Sequence, residues 1–318
     1  MAMVLAGIFG IILGPTKLHL ANAISEILRG NTDSANARIL LYVRLPRVLA
    51  SIACGAALAV SGGVIQGVLA NRLASPSIIG VNSGAGLAVT LCSAFGLIGG
   101  WQLSLFSFVG AFASVMLVSI GAKKWGASRG TVILMGVALN AFLGAVSDAV
   151  ITFIPEVGIM SNNFKIGDFS AATYAKVFPA AIIILCSVAA LLTLSNELDV
   201  LSLGDETAAS LGLNTKAVRV IFLLLSALLA GSAVSICGLL SFVGLLVPHA
   251  VKRIASREAK HSIPLCALFG ASFVTLCDTL ARVIFAPYEL PVGIIMAFLG
   301  APFFIFILIK GKGEHRLA

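Results

Sequence analysis

Charge is the scarcest commodity in this chain. Asp, Glu, Lys and Arg together make up 11% of its 318 residues, where an ordinary soluble domain carries about 25%. Catalytic signatures are missing as well. No GxxxxGK[ST] loop occurs, so the chain does not cradle nucleotide phosphates by that route. His19, His249, His261 and His315 fall one to a segment, which excludes an HExxH zinc site and a paired axial set for haem. There is no GxSxG nucleophile elbow. Cys54, Cys92, Cys186, Cys237, Cys266 and Cys277 all lie inside apolar runs without CxxC spacing, so they read as small hydrophobes rather than metal ligands or disulfides. The short alternating segments of a β-barrel are absent too. Enzyme chemistry has nothing to stand on, and no metal site is expected.

What remains is apolar. Hydrophobic residues are 59% of the chain, and runs of about 20 of them recur, the length that crosses the hydrocarbon of a bilayer. The class expected is an all-α, polytopic membrane protein forming one transmembrane domain over 1–318. Ten spans can be drawn, at 1–18, 46–70, 76–98, 101–121, 130–154, 177–195, 217–237, 239–253, 262–285 and 291–309. The first is short, and no basic stretch precedes it, so it reads as a span rather than a signal peptide.

Net charge is +8, but the cations sit in short loops without interleaved aromatics. That pattern sets topology or meets lipid headgroups; it does not bind nucleic acid. An even number of spans puts both termini on one side. Placing them in the cytoplasm puts most of the cations inside, among them Arg72, Lys124, Arg129, Lys216, Arg219, Lys252 and Arg253. Lys17, Arg29, Arg38, Arg44 and Arg47 then crowd together outside, against the trend.

Gly55, Ala59, Gly63 and Gly67 recur at steps of four on the second span, a stripe for close helix packing. The stretch from Asn71 to Gly86, with Pro76, Gly80 and Asn82, is an irregular helix start that must be buried in protein or line a wet cavity. Both readings stay open. Asp148 lies about 10 Å from the end of the fifth span; it either faces a cavity or snorkels to the outer interface. Asp278 and Arg282, four residues apart, form a candidate helical pair.

One polar stretch interrupts the apolar runs, LGDETAASLGLNT at 203–215. Gly204 breaks the chain, Asp205 is placed to cap a helix and Glu206 complements its dipole. Ala208, Ala209 and Leu211 give about two turns, and Gly212 is placed to end them in a left-handed cap. It is either a plain polar loop or a short cytoplasmic helix that transmits a push. Three classes of function follow. A transport subunit driven by a separate ATPase uses such a helix. A secondary, ion-coupled transporter working without an ATPase calls for internal repeats and several deep acids. A membrane enzyme or structural subunit calls for a catalytic constellation or for no polar features at all.

Several blocks decide among these. Arg44-Leu-Pro-Arg47 with GAALAVSGGVIQGVLANRLASPSIIGVNSGAGLAV, then LGDETAASLGLN, GLLSFVGLLVPHAVKR, Asp278-Thr-Leu-Ala-Arg282 and ELPVGIIMAFLGAPFF occur in this order. The chain resembles the FecCD-type permeases of ABC importers for iron-siderophore, haem or vitamin B12 from about residue 40 onward. The resemblance implies a ten-helix type II importer permease that itself binds no cofactor. Its implied partners are a second permease, two ABC ATPases that carry ATP and Mg, and an extracytoplasmic binding protein, all at the cytoplasmic membrane. It also implies that Gly204, Asp205, Glu206, Ala208, Ala209, Leu211 and Gly212 couple to the ATPases, within a region of about 196–216. Arg44, Arg47 and Arg282 would dock the binding protein, and Asn82, Asn140, Asp148 and Met296 would lie along the translocation path. The segment Phe164-Lys-Ile-Gly167-Asp168 departs from the family pattern, as does Asp148.

Overall fold

A computed structural model describes residues 1–16, 20–124, 128–255 and 258–314, with only the backbone for Lys123 and 306–314. Lys17, His19 and His315 lie outside the described residues. Among these residues every regular element is helical. In chain order they are α1 (Ala2–Ile12), α2 (Leu20–Leu28), α3 (Ala35–Arg38), α4 (Leu45–Val68), α5 (Val81–Ala94), α6 (Gly100–Lys124) and α7 (Arg129–Phe153). Then follow α8 (Val157–Ile166), α9 (Tyr174–Thr193), α10 (Ser195–Ser202), α11 (Asp205–Ser210), α12 (Thr215–Cys237), α13 (Val243–Ile254), α14 (Ala259–Val283) and α15 (Val292–Glu314).

Six of these helices are long and apolar enough to cross a membrane, and α1, α5 and the described part of α15 are shorter apolar helices. The eighth expected span is also short in the structure. It begins only at Val243, after a left-handed Phe242, and runs twelve residues.

The second span starts earlier than Pro46 implies. The helix runs unbroken from Ala35 to Val68. Pro46 has no N–H for the carbonyl four residues back, and the turn before it widens into a π-helix over Ile39–Arg44, where Leu45 N–H donates to Leu40 O. A proline near a helix start therefore reshapes this helix without ending it.

Burial sorts the bundle into centre and rim. Within α4 72% of the most apolar window is buried, against 17% in α7. Around α4 pack α14, α12 and α13, and α7 sits at the rim with Leu134, Val137 and Phe142 exposed. The central contacts are made backbone to backbone. A Cβ added at Gly62 would lie 1.9 Å from Gly244 O, and one at Gly55 would lie 2.3 Å from Gly270 O. Of the predicted stripe, Gly55 and Ala59 meet Gly270 on α14 and Gly67 meets Leu198. Gly63 faces ordinary van der Waals space beside Pro248 and Cys266, and the tightest approach on α4 belongs to Gly62, which the four-residue spacing passes over.

Candidate functional site: two charge clusters at opposite poles

Ion-paired side chains cluster at the two ends of this bundle. At one pole lie the starts of α4 and α15 with the ends of α12 and α14. At the other lie the starts of α7, α12 and α14 with α10 and α11. Arg219 and Cys237 mark the two ends of α12, about 27 Å apart at 1.5 Å per residue.

The first pole is a buried ion network. Asp278, fully buried on α14, receives Arg47 Nη2 at 2.9 Å and Nε at 3.1 Å, and Arg282 Nε lies 3.2 Å from its other oxygen. Arg47 Nη1 also donates to Glu289 at 2.6 Å, and Asp168 stands 3.8 Å from Nη2. Arg44 is committed elsewhere. Its guanidinium donates to the carbonyls of Ile11, Ile12 and Thr16, each at 2.6 Å, and Arg282 Nη2 reaches Gly10 O at 3.0 Å. Gly10, Ile11 and Ile12 carry carbonyls that the end of α1 leaves without partners, so two arginines cap α1 and fasten it, with the turn at Thr16, to the bundle. The predicted docking arginines were expected on the surface. The structure instead buries Arg44, Arg47 and Arg282 to 3%, 4% and 2% exposure. A guanidinium at such depth must be paired, and internal carboxylates and carbonyls do that here. The predicted Asp278–Arg282 pair is present, but as one edge of this network.

Beside the network three chain segments meet main chain to main chain. Asp168 N–H donates to Cys237 O, Leu239 N–H to Phe164 O and Gly293 N–H to Gly167 O. A Cβ on Gly293 would lie 1.7 Å from Ile166 O. The segment 164–168 thus forms the junction of α8, α12 and α15. A crevice of about 410 Å³ opens there, lined among others by Ser104, Asn163, Asp168, Lys176 and Pro291.

The residues expected along the path separate. Asp148 is 74% exposed on the rim helix α7, with Lys165 Nζ 3.9 Å away. Asn82 is half-buried in the first turn of α5. Asn140 is committed to structure: its Nδ2 donates to Ser77 O and Ile78 O at 2.9 and 3.3 Å, and its Oδ1 accepts from Ser83. It pins α7 to the irregular turn before α5, where a Cβ on Gly136 would also strike Ile78 O. Met296 is completely buried in the core. A thioether there fills space among α15 and its neighbours.

The opposite pole carries α11. Gly204, at φ +127, is the N-cap residue and makes no side-chain bond, which corrects the capping role given to Asp205. The far end behaves as the spacing implies. Gly212 adopts φ +86, Leu213 N–H donates to Ala208 O and Gly212 N–H to Ala209 O, so the last carbonyls are satisfied. Ala208 is buried and Asp205 half-buried, whereas Glu206, Thr207, Ala209 and Ser210 are exposed and Leu211 is 63% exposed. The Asp205 carboxylate accepts from Arg219 Nη2 at 2.6 Å and lies 3.2 Å from Arg129 Nε. Next to it Asp199 accepts from the first amide of α14, Ala259 N–H, at 2.9 Å. Burial raises the Asp199 pKa, and the Ala259 amide bond opposes that shift.

This six-residue helix is therefore latched on one face by ion pairs and bare on the other. The family model described as the FecCD transport family matches residues 2–310. The chain belongs to the FecCD transport family. It is 36% identical over 292 residues to the hemin transport system permease protein HmuU of Yersinia pestis, covering 90% of this chain and 87% of that protein. It is 34% identical over 297 residues to the Fe(3+) dicitrate transport system permease protein FecC of Escherichia coli K12, covering 92% and 89%. A solved ABC transporter assigned to the metal-chelate type, in an inward-facing conformation, superposes with a TM-score of 0.86 at 28% identity. That match covers 97% of this chain and 96% of the other. This FecCD protein is therefore an all-α, multi-pass membrane protein and a permease of the ABC importer class.

Proposed function

We propose that the chain is the translocating subunit of an ABC importer for an iron chelate, a siderophore or haem, or for a corrinoid. The observation that carries this is α11: a polar helix with a bare outer face, anchored at one pole of a FecCD bundle. Relatives named for ferric dicitrate and hemin transport support the cargo class. The exposed apolar face of α7, with Leu134, Val137 and Phe142, supports a second permease packed along this rim. The chain sits in the cytoplasmic membrane with both termini and α11 inside, in keeping with the distribution of its loop cations. Two partner ATPases bind ATP and Mg, do the hydrolysis and move α11. The permease halves then rock between outward and inward access.

The opposite pole faces an extracytoplasmic binding protein. Glu289 is 32% exposed and Asp168 likewise, so a carboxylate arriving from outside reaches Arg47 by replacing one of them. Arg44 and Arg282 hold the platform beneath. Such contacts set register and steer docking more than they add affinity.

The test is uptake of a labelled iron chelate into vesicles holding the permease, with and without its ATPase and binding protein. Uptake is expected only with ATP and the complete set. Accumulation by the permease alone would overturn the proposal.

A further inference from the structure

Resting on that proposed function, we infer that Asp205 is no part of the surface gripped by the ATPase: with Arg129 and Arg219 it forms the joint that carries motion from α11 into α7 and α12. Two cations stand here in costly positions. Arg219 is 2% exposed near the start of α12, and a guanidinium taken out of water needs a partner. Arg129 is the first residue of α7, behind the Ser128 cap, where the helix dipole disfavours positive charge. The Asp205 carboxylate reaches both.

The two halves of the joint differ. Arg219 Nη2 makes a hydrogen bond of 2.6 Å to Asp205 Oδ1. Arg129 Nε sits 3.2 Å from the same oxygen without the alignment of a hydrogen bond, while its Nη2 donates to Leu201 O at the end of α10 at 2.7 Å. The α12 side is therefore fixed, and the α7 side can tighten or loosen as α11 moves. From Arg129 the connection continues along α7 to Gly136 and Asn140, which press on the Ser77–Ile78 backbone before α5. The faces divide the labour. Glu206, Ala209, Ser210 and Leu211 are turned outward for the partner, whereas the Asp205 carboxylate, 39% exposed, bends back onto Arg219 and Arg129.

Arg129 is a positioning residue, and its readout is the ratio of cargo moved to ATP hydrolysed in the reconstituted complex. Arg129→Gln leaves the Asp205–Arg219 bond in place. It is expected to lower that ratio by about tenfold, within the usual range of coupling energies, while ATPase binding to the permease is unchanged. Asp205→Asn is expected to do the same, and Asp205→Glu to restore most of the ratio. An unchanged ratio in Arg129→Gln overturns the joint. Weakened ATPase binding, with hydrolysis and transport falling together, also overturns it, because the two residues would then belong to the grip. Transport by the wild-type chain without any ATPase would instead sink the proposed function, whatever the variants do.

Discussion

Asp278 is the residue on which the first pole turns. It is fully buried and holds Arg47 from α4 and Arg282 from its own helix. Removing one member of a buried ion network leaves the others uncompensated, at a cost of about 3 to 5 kcal/mol. Asp278→Asn should therefore lower the thermal midpoint of the detergent-purified permease markedly. Glu289→Gln should change it little, because Arg47 keeps Asp278 and a partly exposed pair contributes about 1 kcal/mol or less. With a competing carboxylate gone, the same variant should bind the binding protein about two- to fivefold more tightly. Equal thermal midpoints for the two variants, or weaker docking in Glu289→Gln, would count against this reading. Only the Asp278–Arg282 edge was legible in the sequence. The Arg47–Asp278 contact joins residues 231 positions apart, and no local spacing announces it. Arg129 at a helix N-terminus and Arg219 inside an apolar run were signals of a different kind. Each is a cation where electrostatics disfavours one, and each predicts a nearby acid.

Among the elements, α4 shows what pattern reading captures and what it misses. Small residues at steps of four correctly single out Gly55 and Ala59 against α14, because lipid offers no hydrophobic drive and close backbone approach must supply the contact. The same step skips Gly62, whose neighbour Gly244 lies in the first turn of α13. Gly62→Ala should abolish recovery of folded protein, since backbone carbonyl cannot retreat as a side chain can. Gly63→Ala should be tolerated, with ordinary contacts to Pro248 and Cys266 at 3.6 Å. Comparable yields for the two in size-exclusion chromatography would contradict the packing described. The helical run ahead of α4 went unread for a related reason: proline removes a donor, and a π turn absorbs that loss within a continuous helix. The amphipathic helix α2, hidden in what reads as a polar loop, went unseen because nine residues leave too little periodicity to stand out.

For the whole molecule, composition and order carried most of the reading. Apolar runs of spanning length give the bundle, and the few polar residues left over mark its two poles. What they do not give is which face each polar side chain turns to. Asn140 and Met296 look like path residues in sequence, yet one braces a turn and the other fills the core. The claim on which the rest depends is that α11 stands on the cytoplasmic side as the handle of a separate ATPase. Leu211→Cys, made in a chain whose exposed Cys186 is replaced by Ser, tests it with a membrane-impermeant thiol reagent on sealed vesicles of known orientation. Labelling is predicted only from the cytoplasmic face, and adding the ATPase subunit should protect the site. Labelling from the outer face, or no protection by the ATPase, would contradict it.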